Sequence, residues 1–155
     1  MNELQPLVSV IIPSYNRFKF LNNAIDSVKQ QTYKNTEIIV INDGSDEEEY
    51  YTSNFSKNVK MVTLEKNQKT IYGFGPGSIR NFGTDQASGE YLAFLDDDDV
   101  WLPNKLSVQI ENMLVRDFQI SCTEAYIGNG VFNKKSKYKL YNSEHYFQKI
   151  KKMYK

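Results

Sequence analysis

Positions 96–99 are four consecutive aspartates that directly follow the apolar run at residues 91–95. Like charges crowded at the end of a hydrophobic strand repel one another, and a bound divalent cation is the simplest compensation. Hard cations such as Mg²⁺ and Mn²⁺ prefer carboxylate oxygens, and they bridge a protein to the phosphates of a ligand. The run therefore predicts a site for a metal and a phosphate, with a solvated acidic loop as the alternative.

Three further side chains have types that suit nucleotide binding. Tyr15 follows the first apolar run, Asp43 follows the second, and Arg80 lies shortly before the aspartates. An aromatic ring stacks on a base, a carboxylate accepts a hydrogen bond from a base edge, and a guanidinium offers forked donors to a phosphate. Each also has an ordinary role, in packing, in closing a turn or in an ion pair, so each signal alone is weak.

Several other chemistries are disfavoured. The glycines at 73, 75 and 77 do not follow the first strand, so they do not form a dinucleotide-binding fingerprint. Flexibility or a loop over a sugar phosphate are the alternatives for them. His145 is the only histidine and lies near the end of the sequence, which argues against a histidine metal site or a Ser-His-Asp triad.

Hydrophobic periodicity predicts strands that alternate with helices. Strands are expected at 8–12, 37–42, 59–64, 91–95 and 118–127, helices at 18–31, 46–56, 78–87, 103–115 and 143–154, and loops at 67–77 and 129–139. Continuously apolar strands between helices indicate a mostly parallel sheet that is covered on both faces. Ligands gather at the carboxyl ends of such strands, where residues 13–16, 42–45 and 96–99 converge.

The composition narrows the class of protein. With 155 residues, 40% of them hydrophobic and 25% charged, the chain fits one globular domain, and its formal net charge of zero argues against a general nucleic-acid binder. Cys122 is the only cysteine, which points to a reducing compartment and a buried thiol. From the sequence, no apolar membrane span and no signal peptide are expected. A cytoplasmic location is expected, with peripheral attachment to a membrane left open.

The sequence resembles the family 2 glycosyltransferases in four blocks that occur in the family's order, at residues 8–17, 41–45, 80–91 and 94–106. The resemblance implies a GT-A-like α/β/α sandwich with a mostly parallel central sheet and a nucleotide-diphospho-sugar as donor. We expect one domain over residues 1–155, with nucleotide-sugar binding at about 7–106 and a tail at 129–155 of uncertain role. We expect this sequence to lack part of the acceptor-binding half that the family's domain contains.

The resemblance also implies roles for matching residues at the base of the nucleotide. Pro13 and Tyr15 would lie against the base, usually uracil. Asp43 would accept a hydrogen bond from the base, and Arg80 would approach the base or a phosphate.

At the diphosphate, Asp96 and Asp97 would serve the ribose and the nucleotide side of the metal motif, the DXD motif. Asp98 would ligate Mn²⁺ or Mg²⁺, although four aspartates in a row leave the register of this motif open by one residue. Inversion needs a carboxylate base. Glu124 and Glu144 are the only carboxylates after Asp117, and neither lies in a recognised base motif, so no catalytic residue is assigned.

The resulting hypothesis is an inverting glycosyltransferase with a UDP-sugar donor, a divalent metal and an unknown glycan, protein or lipid acceptor. A second copy of the chain or a partner domain is left open. The main alternative is a nucleotide-sugar-binding module without transferase activity of its own. A nucleotidyltransferase ranks lower because residues 14–17 do not supply a glycine- and lysine-rich loop. A nicotinamide dehydrogenase ranks last.

Overall fold

The computed structural model describes residues 5–73, 76–130, 132–133 and 135–141. The chain divides into two compact units, Met1–Ser107 and Val108–Lys155. None of the helices in the described ranges is long and apolar enough to cross a membrane.

The first unit is an α/β layer structure around a four-stranded sheet. Its elements are β1 (Val8–Ser14), α1 (Phe18–Lys29), β2 (Thr36–Asn42), α2 (Glu49–Thr52), β3 (Val59–Thr63), α3 (Gln68–Tyr72), α4 (Pro76–Thr84) and β4 (Tyr91–Phe94). The strand order is β3-β2-β1-β4, and every pair in this sheet is parallel. The expected α/β class with a mostly parallel central sheet is confirmed.

The central strands β1 and β2 are buried along nearly their whole length, because helices cover both faces of the sheet. On α1, the residues at helical spacing predicted to face the core, Leu21, Ala24, Ile25 and Val28, are buried. Helix α4 packs closely against β1, since a Cβ added at Gly83 would lie 2.4 Å from a methyl carbon of Ile11. These contacts fix the carboxyl ends of the strands, where the loops meet.

The segment that follows the aspartates is held by the end of α1. Gln31 is fully buried, and its side-chain amide donates to the carbonyl of Leu102 at 2.8 Å and accepts from the N–H of Leu106 at 3.0 Å. The hydroxyl of Ser27 accepts from the N–H of Trp101 at 3.1 Å. A buried amide satisfied in this way fixes the backbone on the far side of the aspartate turn.

Two predictions for the first unit are corrected by the structure. Residues 67–77 are not a loop, because they contain α3 and the start of α4. Asn67 caps α3 by accepting from the N–H of Thr70, and Gly73 ends that helix with φ of 67°. The helix expected at 46–56 is shortened to Glu49–Thr52.

Helix α5 (Lys105–Arg116) begins in the first unit, and its residues from Val108 onward belong to the second. Within the second unit, β5 (Tyr126–Ile127) pairs with β6 (Lys139–Leu140) in an antiparallel ladder. The strand predicted at 118–127 is therefore wrong except for its last two residues.

The single thiol is also placed differently from the prediction. Cys122 is exposed rather than buried, since residues 118–125 form no strand that would bury alternate side chains. The helix predicted at 143–154, together with Glu144 and His145, lies outside the described residues.

Candidate functional site

A cleft of about 420 Å³ lies in the first unit at the carboxyl ends of β1, β2 and β4. All seven site residues predicted from the sequence line it. The complete lining is Pro13, Ser14, Tyr15, Arg17, Asp43, Asn67, Lys69, Ile79, Arg80, Asp96, Asp97 and Asp98. Parallel pairing brings these residues together, because it places the carboxyl ends of the strands at one edge of the sheet.

The loop after β1 presents Tyr15, whose side chain is 41% exposed, beside Pro13. Asn16 adopts a left-handed backbone with φ of 50°, which turns the chain between β1 and α1. The N–H of Asn16 donates to the hydroxyl of Ser45 at 3.0 Å, and its side-chain oxygen accepts from the N–H of Asp46 at 2.8 Å. The loops after β1 and β2 are thus joined, and an aromatic ring stands at the mouth of the cleft.

Asp43 is nearly buried at the end of β2 and organises a neighbouring loop. One of its carboxylate oxygens accepts from the amide of Asn67 at 2.8 Å, and the other accepts from the N–H of Gln68 at 2.9 Å. Burial raises the pKa of Asp43, and the bond from Gln68 partly opposes that shift. A carboxylate has about four lone-pair positions, so these two bonds leave capacity for a ligand.

Asp97 is the buried member of the aspartate run. It accepts from the hydroxyl of Ser14 at 2.7 Å and from the guanidinium of Arg17 at 3.4 Å. Burial raises its pKa, the bond from Ser14 and the charge of Arg17 lower it, and the charge of Asp98 raises it again. Asp97 therefore anchors the turn to β1 more than it faces the cleft.

Asp96 and Asp98 present half-exposed carboxylates to the cleft, and each is paired with an arginine. Arg80 donates to Asp96, and Arg17 donates to Asp98 at 2.8 Å. Asp99 lies outside the lining, with its N–H bonded to the carbonyl of Asp96 at 3.0 Å. Burial raises the pKa of Asp99, and the charges of its three aspartate neighbours raise it further. The two arginines thus leave part of the negative charge of the run uncompensated.

Several residues of the site were assigned no role from the sequence, and Tyr50 is the least obvious of them. Tyr50 is buried on α2, and its hydroxyl lies 2.5 Å from that of Ser14 and accepts from the N–H of Arg17 at 3.1 Å. Among the residues that line the cleft, Arg17, Asn67 and Lys69 carry charged or amide groups and were likewise assigned no role. The acidic segment around Tyr50 indicates a solvated face, so its pattern gives no signal for this contact.

The metal-binding capacity of the cleft lies in Asp96 and Asp98. Among the residues that the structure describes, no three acidic, histidine or cysteine side chains form a group that would hold a metal by themselves. Mg²⁺ commonly binds one or two carboxylates and takes its other ligands from substrate phosphates and water. The oxygen donors, their exposure and the residual negative charge suit an ion held in that way.

Comparison with known proteins shows a match to the family described as Glycosyl transferase family 2 over residues 9–155. The chain is 42% identical over 110 residues to the Escherichia coli protein named UDP-Glc:alpha-D-GlcNAc-diphosphoundecaprenol beta-1,3-glucosyltransferase WfgD, covering 70% of this chain and 41% of that protein. It is 41% identical over 107 residues to the Campylobacter jejuni protein named GalNAc(5)-diNAcBac-PP-undecaprenol beta-1,3-glucosyltransferase, covering 68% and 34% of the two chains.

Among solved structures, the fold is similar to residues 1–349 of S. aureus TarS in complex with UDP. The TM-score is 0.60 at 29% sequence identity, and the match covers 71% of this chain and 32% of that one. Across these and other relatives, the chain spans between 16% and 43% of their length.

Proposed function

The chain belongs to glycosyl transferase family 2, and we propose that its first unit binds a UDP-sugar in the cleft and takes part in inverting transfer of the sugar. One observation carries the proposal. An exposed aromatic ring, a nearly buried acceptor carboxylate and a pair of half-exposed carboxylates with two arginines line one cleft at the strand ends. That set supplies both a base site and a diphosphate site.

The base is assigned to the end of the cleft formed by Pro13, Tyr15 and Asp43. Tyr15 offers a ring face for stacking, and base–aromatic stacking contributes about 1–3 kcal/mol per base. Asp43 retains acceptor capacity for an N–H of the base edge, and Asn67 is held beside it. The similarity to TarS, whose structure was solved in complex with UDP, supports uracil as the base.

The diphosphate is assigned to the end formed by Arg80, Asp96 and Asp98. Arg80 supplies forked donors for phosphate oxygens. Asp97 holds the aspartate turn in place through the hydrogen bond that it accepts from Ser14. Asp98, with Asp96 beside it, would hold Mn²⁺ or Mg²⁺. When bound, that ion would stabilise the charge that develops on the leaving diphosphate. The nucleotide-sugar-binding part is proposed to comprise residues 7–106.

The proposed acceptor is a sugar linked to a polyprenyl diphosphate. Support comes from the two similar bacterial glucosyltransferases, which are named for acceptor sugars linked through a diphosphate to undecaprenol. Such an acceptor would place the working protein at a membrane surface. Inversion requires a carboxylate base for the acceptor hydroxyl, and no described residue is assigned that role.

Calorimetric titration with UDP, in the presence and absence of Mn²⁺, tests the proposal. Wild type is expected to bind UDP more tightly with Mn²⁺, and Asp98→Asn is expected to lose most of that gain. Asp85→Asn, which removes an exposed carboxylate outside the cleft lining, is the matched control and should behave like wild type. Equal affinities in all combinations would contradict the metal assignment.

The choice of base and the alternative function need separate measurements. Titration with GDP and CDP should give weaker binding than UDP if the base site is correct. Incubation with radiolabelled UDP-glucose and a polyprenyl-diphosphate-linked sugar measures transfer. Binding of the donor without transfer or hydrolysis would support a nucleotide-sugar-binding module instead of a transferase.

A further inference from the structure

Arg17 is the cationic partner of the half-exposed aspartate at the proposed metal position. Its guanidinium donates to Asp98 at 2.8 Å and lies 3.4 Å from an oxygen of Asp97. The side chains of Arg17 and Asp98 are 52% and 49% exposed. The pair therefore lies at the open side of the cleft, where solvent and ligands reach it.

The backbone of Arg17 is fixed even though its side chain is exposed. Its N–H donates to the hydroxyl of Tyr50 at 3.1 Å, and its carbonyl accepts from Phe20 and Leu21 at 2.9 and 3.0 Å. The guanidinium therefore extends from an anchored backbone at the start of α1 to the carboxylate of Asp98.

The two aspartates depend on Arg17 to different degrees. Asp97 is buried and accepts a shorter bond, 2.7 Å, from Ser14, so the distant contact with Arg17 adds little to its placement. The ion pair that the structure shows for Asp98 is the one with Arg17. Exposed ion pairs of this kind contribute little to stability and are readily exchanged for another partner.

We propose that Arg17 is a displaceable internal counter-ion, which occupies the carboxylate of Asp98 in the donor-free protein and leaves it when a divalent cation binds. This inference rests on the proposed function. One carboxylate oxygen cannot accept from a guanidinium and ligate a divalent ion at the same position, and the two positive charges repel each other at that distance. The released guanidinium then contacts the diphosphate of the donor, whose paired oxygens accept bidentate hydrogen bonds from the planar guanidinium.

The exchange couples the metal to the donor. Without a donor, an ion must displace Arg17 with no new partner for the guanidinium, so metal binding is weakened. With a donor, the diphosphate accepts the displaced side chain, so the penalty is offset. The coupling is reciprocal, since the metal must favour donor binding by the same factor. The arrangement keeps Asp98 neutralised until both ligands are present.

The test is a titration with Mn²⁺ alone and at saturating UDP, in which electron paramagnetic resonance measures free Mn²⁺. Arg17→Gln is compared with wild type and with Lys19→Gln, which removes an exposed positive charge two positions away. Without UDP, Arg17→Gln should bind Mn²⁺ roughly three- to tenfold more tightly than either. At saturating UDP this advantage should vanish or reverse. Thermal unfolding of each variant verifies that the fold is intact.

The outcomes separate this inference from the function on which it rests. Equal Mn²⁺ affinity for Arg17→Gln and wild type without UDP, in chains that do bind Mn²⁺ with UDP, would overturn the counter-ion role alone. An equal gain in Arg17→Gln with and without UDP would overturn the contact with the diphosphate. Failure of all three proteins to bind Mn²⁺ even with UDP would overturn the proposed metal site, and the inference with it.

Discussion

The hydroxyl of Ser14 donates a 2.7 Å hydrogen bond to the carboxylate of Asp97, and this contact joins the end of β1 to the turn after β4. Both residues are buried, so this bond satisfies polar groups that water does not reach. The contact explains how a run of four like charges stays folded against the sheet: its second member is tied down and the first and third face the cleft.

Ser14→Ala should destabilise the first unit by about 1–3 kcal/mol, because the buried carboxylate of Asp97 loses a donor. The pKa of Asp97 should rise further, since the bond from Ser14 lowers it. Urea denaturation measures the loss of stability. Ser56→Ala removes an exposed hydroxyl bonded to Asn58 and serves as the control. Equal effects of the two substitutions would show that the Ser14 contact does not stabilise the turn.

Tyr50→Phe should weaken the site without disturbing the packing around the ring. The ring contacts Phe18 with centroids 5.3 Å apart, and a phenylalanine preserves that contact. The lost hydroxyl deprives Ser14 and the N–H of Arg17 of a partner, so stability should fall by about 1–2 kcal/mol. Binding of UDP with Mn²⁺ should weaken as well.

Tyr51→Phe is the matched control for Tyr50, on the same helix. Its hydroxyl donates to the carbonyl of Ser45, but its side chain is 58% exposed, so water replaces the lost bond. Calorimetry and urea denaturation of both variants measure the two effects. A Tyr50→Phe protein with the stability and UDP affinity of Tyr51→Phe would contradict the positioning role.

Gly44→Ala should be strongly destabilising because the position combines two constraints. The backbone is left-handed with φ of 69°, and an added Cβ would lie 2.8 Å from backbone atoms of Lys66 and Asn67. Gly73→Ala is the control, since it has φ of 67° and no atom within 4 Å of an added Cβ. We expect Gly73→Ala to lower the free energy of unfolding by about 1 kcal/mol, from the conformational cost alone, and Gly44→Ala to lower it by clearly more. Similar losses in urea denaturation would refute the close approach.

Because of Lys105, the stability of the first unit should change with pH in the alkaline range. Its ammonium lies 3.6 Å from the ring centroid of Trp101, and burial lowers its pKa from 10.5 to about 8. Between these values the unfolded chain binds more protons than the folded one, so this lysine's contribution to stability rises with pH. Below pH 8 this lysine is charged in both the folded and the unfolded chain, so the cost of burying its charge no longer changes with pH.

Lys105→Met should therefore be more stable than wild type near pH 7, and the advantage should shrink between pH 8 and 10.5. Thermal unfolding across this range, with Lys19→Met as an exposed control, measures the difference. Because both proteins share the same tyrosines, any contribution of those side chains to the pH dependence cancels in the comparison. A difference that is independent of pH would mean that Lys105 is not the titrating group.

The sheet could be predicted because its signals are local. Mostly apolar segments mark the strands, and the periodicity of α1 marks its buried face. The rule for the carboxyl ends of parallel strands then places Tyr15, Asp43 and the aspartates together. Asn67 is also a local signal, since asparagine commonly caps a helix, but the glycines that follow it favoured a loop.

The contacts of Tyr50 and Arg17 could not be predicted, because they join residues that lie 36 and 81 positions from their partners Ser14 and Asp98. Nothing in the local pattern at either residue specifies such a partner. The strand expected at 118–127 failed for a related reason. Apolar residues there, such as Ile120, are 88% exposed, so composition alone did not determine burial.

Crystals grown with UDP and Mn²⁺, measured for anomalous scattering by manganese, would show directly whether the cleft holds the nucleotide and the metal as proposed. We expect a manganese peak at a coordination distance of about 2.1 Å from a carboxylate oxygen of Asp98, with the ion also bound to the diphosphate and uracil between Tyr15 and Asp43. A nucleotide bound elsewhere, or one bound in the cleft with manganese remote from Asp96 and Asp98, would contradict it.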